Sequence, residues 1–464
     1  MISFNRRHFI QAGATGLAGL AFAGLARGAL AASLGETYLN QAPGYGPLVA
    51  DPAGLLDLPQ GFAYRTISIA GKAMDDGYIV PDNFDGMGCI ALDRHRVALV
   101  RNHELGLNGH ALGPTGGIAA RETQLTRLPV YGRDASGKVL PGGTTTLVYN
   151  LRSGRREMQY LSLAGTATNC AGGVTPWGSW LSCEETVLTQ PDAEHSHGWI
   201  FEVPARQRGL VAPVPLKAMG RFRHEAAAVD PITGAVYLTE DRDDGLFYRF
   251  LPTVNGKLAQ GGRLQALGFV DGGTDSRNWQ GNDMTVGTVR ELRWIDLDEV
   301  ESPHDDLRLR GHAAGAVRFA RGEGIHLGTR ADGQVEFYFT CTSGGSLRHG
   351  QIMRLRPAAD PAVAGTLELF FESNDARVMD YADNLTVAPW GHLVVCEDRA
   401  GKTAINHLRG VTPEGRSYTL ARLNAETELA GACFSPDGST LFVNIYSPGK
   451  TVAITGPWHR FAAA

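Results

Sequence analysis

A recurring segment limits the folds open to this chain: a turn with Pro or Gly, an apolar run of strand-type residues, then an acid. Four clear copies and two looser ones cover residues 93–104, 175–185, 230–241, 331–342, 388–398 and 435–444, the last ending in Asn. Apolar runs bounded by turn residues are typical of strands, and such units repeated at intervals of roughly 45 to 100 residues indicate β-propeller blades separated by insertions.

We therefore predict an all-β fold, a six-bladed β-propeller forming one domain over residues 45–460. Segments 105–145 and 253–312 are polar and weakly patterned, and we interpret them as blade-edge insertions. Two stacked β-sandwiches are the alternative architecture. The 59 Gly and 23 Pro among 464 residues favour tight turns over a helical bundle.

The charge balance limits the possible partners. The chain has 43 basic and 48 acidic residues and a net charge of −5, which argues against a general nucleic-acid binder. Its six cysteines are even in number, but Cys183 and Cys396 lie in apolar runs, so we expect few disulfides. A closed propeller needs no partner to cover its sheet edges, so we expect a monomer.

The first 31 residues have the layout of an export signal. Arg6-Arg7 precedes a mildly apolar stretch over 12–26, and Ala29-Leu30-Ala31 is a small-residue cleavage motif. The paired arginines predict recognition by the twin-arginine export machinery and a periplasmic or secreted location. A short anchor helix is the alternative, but the stretch is too short to span a bilayer, so we expect no stable membrane anchor. Residues 32–44 are interpreted as an exposed lead.

The repeat also places chemically reactive side chains in register. Counting six residues back from the turn Pro gives Cys170, Glu225 and Asp383, and Glu323 lies in a related place before the fifth turn. A second set ends the following strands: Glu184-Glu185, Glu240-Asp241, Glu397-Asp398 and the single Glu104. Neighbours on a strand point to opposite faces, so only one acid of each pair should bind a metal, and either could.

Equivalent positions on different blades converge on the central channel. Several carboxylates there would repel one another, and cations would remove that cost. Oxygen-rich sites suit Ca²⁺, whereas the thiol of Cys170 favours a transition metal, with iron as the natural candidate. The alternative is that each acid is solvated and that Cys170 is a small buried hydrophobe.

At these residues the sequence resembles the calcium-dependent alkaline phosphatases of the PhoX family. The motifs that carry the resemblance are NCAGGVTPWGSWLSCEE at 169–185, GRFRHE at 220–225, YLTED at 237–241, FYRF at 247–250, RGEG at 321–324, DN at 383–384, CED at 396–398, FSPDG at 434–438 and GPW at 456–458. They span nearly the whole chain beyond the signal segment, and the first is the most specific.

The resemblance implies a six-bladed propeller that hydrolyses small phosphomonoesters with a cluster of iron (Fe³⁺) and calcium (Ca²⁺) ions in its channel. It implies that Cys170 and Glu185 bind iron, and that Arg321 binds the substrate phosphate. By the same resemblance, the other metal ligands are Glu225, Glu240, Glu323, Asp383 and Glu397. The chain is shorter than the phosphatases of this family, with trimmed segments between blades.

Two further functions stay open on the residues alone. One is a calcium-dependent lactonase or phosphotriesterase propeller, which needs no thiolate, and the other is a non-catalytic propeller stabilised by calcium. Neither a G-x-S-x-G nucleophile elbow nor a Walker phosphate loop occurs in the sequence. Iron content would separate the phosphatase from both alternatives.

Overall fold

The computed structural model describes residues 37–281, 283–330, 332–358, 363–399 and 405–461. The predicted export signal, residues 1–31, lies outside these residues. Within the described part of the chain, no helix is both long and apolar enough to cross a bilayer. All six cysteines are free thiols.

Strands dominate the secondary structure. In chain order they are β1 (Leu48–Val49), β2 (Leu56–Pro59), β3 (Ala63–Ile69), β4 (Phe84–Ala91), β5 (Arg96–His103), β6 (Gly142–Asn150), β7 (Arg155–Thr166), β8 (Asn169–Val174), β9 (Ser179–Glu184), β10 (Ile200–Pro204), β11 (His224–Val229), β12 (Val236–Glu240), β13 (Phe247–Pro252), β14 (Gly262–Phe269), β15 (Val289–Asp296), β16 (Gly322–Thr329), β17 (Val335–Cys341), β18 (Gln351–Arg356), β19 (Thr366–Glu372), β20 (Ala382–Val387), β21 (Leu393–Glu397), β22 (His407–Val411), β23 (Ser417–Leu423), β24 (Leu429–Phe434), β25 (Thr440–Ile445) and β26 (Lys450–Thr455). The helices are α1 (Ala119–Leu125), α2 (Leu307–Ala313) and short 3-10 turns at His110–Leu112, Lys217–Met219, Leu258–Gln260 and Trp458–Arg460.

Hydrogen bonds join the described strands into five sheets. Their strand orders are β4-β5-β6-β7, β10-β9-β8, β24-β25-β26-β3, β1-β2-β23-β22-β21-β20, and a nine-stranded β11-β12-β13-β14-β15-β19-β18-β17-β16. The arrangement is all-β and propeller-like, as predicted, but the sheets do not divide into six separate blades. The reason is that β15 pairs with β19 and so joins two groups of strands into one sheet.

Six strands, which we call the inner strands, surround the centre of the molecule: β4, β8, β11, β16, β20 and β24. Each contacts the next in this order, and β24 contacts β4, so the ring closes. Small residues allow this approach: a Cβ on Gly86 would lie 2.5 Å from the Cα of Ala171 on the neighbouring inner strand. The ring therefore brings residues distant in sequence to one axis.

The N-terminal strands help close the structure. β3 pairs with β26 as the outermost strand of the last sheet, and β2 pairs with β23. These pairings cover edges that would otherwise expose unpaired backbone groups. The core lies between neighbouring sheets, where Leu408 packs in one cluster with Val443, and Leu99 in another with Phe442.

The two predicted insertions differ in structure. Most of segment 105–145 is loop, with α1 and a 3-10 turn, before β6 begins. Segment 253–312 instead contains β14, β15 and part of α2. The prediction of a blade-edge insertion is therefore wrong for those strands, because they lie inside the nine-stranded sheet.

Candidate metal centre

Every inner strand carries a β-bulge near its start, after the first paired residue in five strands and after the second in β24. The pairing with the second strand breaks between Phe84 and Met87 in β4, and corresponding breaks occur in the other five. A bulge bends the strand and re-aims the side chain of the extra residue. The first bulged residues form what we call the bulge ring: Asp85, Cys170, Glu225, Glu323, Asp383 and Gly431.

A second set of residues directly follows the second strands of the same hairpins. We call it the strand-end ring: Glu104, Glu185, Asp241, Thr342, Asp398 and Tyr446. In all six cases the backbone N–H donates to the carbonyl of the residue just before the inner strand, over 2.8–3.3 Å. The same backbone hydrogen bond therefore holds both rings at the same end of the channel.

The two rings combine into two tight groups of potential ligands. The ligand atoms of Glu104, Cys170 and Glu185 all lie within 4.8 Å of one another, and the same holds for Glu225, Glu323 and Asp383. Asp85 lies beside the first group, with its Oδ2 3.5 Å from the Sγ of Cys170. Chemically, this is a mixed carboxylate and thiol centre.

Burial and mutual repulsion raise the pKa values of these groups. Burial raises the pKa of Glu104 to about 7 and that of Asp383 to about 8. For Glu225, burial acts together with the nearby carboxylates of Glu323 and Asp383 and raises the pKa well above its usual range. Burial and the charge of Asp85 similarly raise the pKa of the Cys170 thiol. Bound cations would reverse this balance and favour the ionised forms.

The donors fit a metal cluster. Both carboxylate oxygens of Glu225 are buried and have no hydrogen-bond partner among the described residues, although buried polar atoms are normally satisfied. Metal coordination would satisfy them. The carboxylates suit Ca²⁺, and the thiolate of Cys170 suits iron in a mixed oxygen and sulfur site.

Arg321 brings a positive charge to this centre. It precedes β16 with a φ of +55°, and its guanidinium donates to Asp241 over 2.8 and 3.0 Å and to Glu323 over 2.7 Å. The charge of Glu323 raises its already high pKa further. A planar guanidinium held beside a metal centre can bind two oxygens of a phosphate at once.

The structure brings six of the eight sequence-predicted residues together: Cys170, Glu185, Glu225, Glu323, Asp383 and Arg321. It does not bring Glu240 and Glu397 into this centre. Glu240 accepts hydrogen bonds from Tyr248 at 2.7 Å and from the Leu246 amide at 3.1 Å. Successive residues of a strand face opposite ways, so these two acids face away from the channel and the residue after each of them faces the channel.

Four further acids at the centre were not singled out from the sequence: Asp85, Asp241, Asp398 and Glu428. Asp241 and Asp398 were left as alternatives within acid pairs, and they belong to the strand-end ring. Glu428 is the residue just before β24, and its pKa is raised well above the usual range by burial and by the neighbouring Asp398. No repeat motif marked Asp85 or Glu428.

Comparisons with known proteins identify one family. The family described as alkaline phosphatase PhoX matches residues 43–149 and 138–449 of this chain. A search of curated proteins found no match.

Solved structures include a protein with a similar fold. The structure of Pseudomonas fluorescens PhoX in complex with vanadate, a transition state analogue, superposes with a TM-score of 0.63 at 20% identity, covering 88% of this chain and 97% of that one. A gluconolactonase from Xanthomonas campestris gives a TM-score of 0.42 at 14% identity, over 90% of this chain and 100% of that one. The first similarity extends over almost all of both chains.

Proposed function

The chain belongs to the PhoX alkaline phosphatase family and is a metal-dependent phosphomonoester hydrolase, and we propose that its carboxylate and thiol centre works with bound iron and calcium. The observation that carries this proposal is the two groups of three potential ligands, each with its ligand atoms within 4.8 Å of one another, and the hydrogen bond from Arg321 to Glu323 of the second group. A metal centre next to a planar cation suits a phosphate dianion.

In this proposal the two groups hold different ions. Cys170, Glu185 and Glu104 would hold iron, because this group contains the thiolate. Glu225, Glu323 and Asp383 would hold calcium, together with Asp398 in place of the adjacent Glu397. When bound, the ions neutralise phosphate charge and lower the pKa of an oxygen nucleophile.

The protein's own residues position the substrate. Phosphoryl transfer depends on alignment and charge stabilisation more than on covalent chemistry from side chains. The Nε and Nη2 donors of Arg321 bind Asp241 and Glu323, which fix the orientation of the guanidinium, and its two Nη1 N–H groups are left to bind phosphate oxygens.

The six inner strands support a six-bladed count. Each carries a bulge near its start and each closes a hairpin with the same amide-to-carbonyl hydrogen bond. Counting β11–β14 and β16–β19 as two blades joined through β15, we assign residues 45–460 to one six-bladed propeller domain. The paired arginines Arg6-Arg7 support export by the twin-arginine machinery and a periplasmic or secreted location. The closed ring of inner strands supports a monomer, because a closed propeller needs no partner to cover its sheet edges.

A direct test uses the purified protein and an aryl phosphate at alkaline pH. We expect phosphate release that is lost on calcium chelation and restored by added calcium, with iron and calcium both found by elemental analysis. A lactone and an aryl phosphotriester serve as control substrates. Turnover of either control without phosphomonoester hydrolysis, or full activity in iron-free protein, would contradict the proposal.

A further inference from the structure

We propose that Arg223 is a second arginine that binds the phosphoryl group of the substrate, opposite Arg321. This inference rests on the proposed phosphatase function and on the role of Arg321 in it. It adds a substrate-binding residue on a neighbouring inner strand, outside the metal ligands.

Arg223 and Arg321 occupy the same structural position. Each is the residue immediately before an inner strand, β11 and β16 respectively, and these strands contact each other. The carbonyl of Arg223 accepts the N–H of Asp241 at 3.3 Å, and that of Arg321 accepts the N–H of Thr342 at 3.0 Å. The other four residues at this position are Asn83, Thr168, Tyr381 and Glu428, so the two arginines are its only cations.

The guanidinium of Arg223 faces the first ligand group. Its Nη1 lies 3.9 Å from Oε1 of Glu185, a distance too long for a good hydrogen bond. Its Nε is buried and has no hydrogen-bond partner among the described residues. The side chain is 41% exposed, so the remaining donors reach solvent at the channel end.

The contrast with Arg321 explains why Arg223 is free to bind a ligand. Arg321 donates three hydrogen bonds to Asp241 and Glu323, whereas among the described residues the Arg223 guanidinium makes only the 3.9 Å approach to Glu185. Burial and the charge of the nearby Asp241 raise the pKa of Glu185 well above its usual range. The two arginines therefore flank the same pair of carboxylates.

A phosphate dianion between these two arginines would accept hydrogen bonds from their N–H groups, whereas ionised carboxylates have no hydrogen to donate. A phosphoryl group has three terminal oxygens, and each guanidinium can donate to two acceptors in one plane. The rival role is structural: Arg223 would only offset the charge of Glu185 and so support metal binding. Phosphate affinity measured at known metal content separates the two roles.

The experiment uses the metal-loaded protein and inorganic phosphate as the probe. Arg223→Ala and Arg223→Lys are compared with the parent by calorimetric phosphate titration, elemental analysis, thermal melting and steady-state kinetics. Arg348→Ala is the matched control, because it removes one exposed guanidinium from the loop that follows β17. We expect phosphate binding weakened by roughly 10- to 100-fold in Arg223→Ala, as for one hydrogen bond to a charged group, with a smaller loss in Arg223→Lys.

Each outcome decides between the roles. Weaker phosphate binding at full iron and calcium content, with parental affinity in Arg348→Ala, supports the inference. Parental phosphate affinity in both Arg223 variants overturns it. Loss of metal from Arg223→Ala, together with normal phosphate binding by Arg223→Lys, also overturns it and assigns Arg223 to Glu185. A parent protein that binds phosphate but hydrolyses no phosphomonoester refutes the proposed function, whereas parental phosphate affinity in the Arg223 variants of an active enzyme refutes only this assignment.

Discussion

Arg409 and Glu397 form a buried ion pair in which the guanidinium Nε lies 2.7 Å from a carboxylate oxygen. His407 lies 2.8 Å from the other carboxylate oxygen. Burial alone would raise the pKa of Glu397, but Arg409 and His407 outweigh it and hold the value at about 2. Glu397 is therefore an ionised structural acid, whereas the adjacent Asp398 belongs to the strand-end ring.

This pairing predicts that two neighbouring substitutions affect different properties, one the stability of the fold and the other its calcium content. Glu397→Gln leaves Arg409 buried without its counter-charge, so we expect the free energy of unfolding to fall by about 3–5 kcal/mol. Asp398→Asn should lower calcium content while changing the unfolding free energy of the metal-free protein by less than about 1 kcal/mol. Urea denaturation and elemental analysis of both variants check this, and calcium loss in Glu397→Gln under folding conditions would argue against it.

The thiol of Cys170 allows a test of the iron site. We expect Cys170→Ala to lose iron and to lower kcat/KM at least roughly 100-fold, because even changes beyond the ligands of metal sites cost about 10- to 100-fold. Cys183→Ala is the matched control: Cys183 is also a buried free thiol, and its pKa is raised by burial alone. Near-normal turnover by folded Cys170→Ala would rule out the iron-thiolate role.

The raised carboxylate pKa values predict how stability depends on pH once metals are removed. Glu104 and Asp383 have pKa values of about 7 and about 8 in the fold, above the roughly 4 of an unfolded chain. Between these values the native state binds more protons, so the unfolding free energy falls as pH rises. The slope is at most about 1.4 kcal/mol per pH unit for each group.

Calorimetry with and without a chelator tests this dependence. We expect the melting temperature of the chelated protein to drop from about pH 5 to about pH 8.5, and the loss caused by chelation to grow over the same range. Asp383→Asn removes one of the titrating groups and should flatten the curve of the chelated protein. A chelated parent that is equally stable at both pH values would contradict the prediction.

The register of the repeat predicted part of the centre. Differences in the length of the inner strands explain why it did not predict the rest. Counting back from the turn Pro reaches the bulge ring in β8, β11 and β20, which are six-residue strands. β4 and β16 have eight residues, so the same count falls short of Asp85. The bulges themselves have no sequence signature here, because different residues occupy them in each inner strand.

The acid pairs show a second limit of the sequence. Strand alternation predicts that one member of each pair faces the channel, but it does not say which. Glu184, Glu240 and Glu397 all lie opposite the first residue of an inner strand. All three accept hydrogen bonds from residues outside the centre: His197, Tyr248 and Arg409 respectively. Partners such as Arg409 lie outside the repeated segments, so only the folded structure shows which acid of each pair they bind. The join between β15 and β19 likewise depends on tertiary pairing.

The fork of Arg321 leads to a final prediction about substrate binding. We expect Arg321→Ala to lower kcat/KM for an aryl phosphate by roughly 100- to 1,000-fold at unchanged metal content, as for loss of one preorganised electrostatic donor. Arg321→Lys should recover only part of this, because an ammonium cannot donate to two oxygens in one plane. Arg242→Lys is the control, since the Arg242 guanidinium donates to Asp305 at 2.6 Å. Equal activity of Arg321→Ala and the parent would remove Arg321 from phosphate binding.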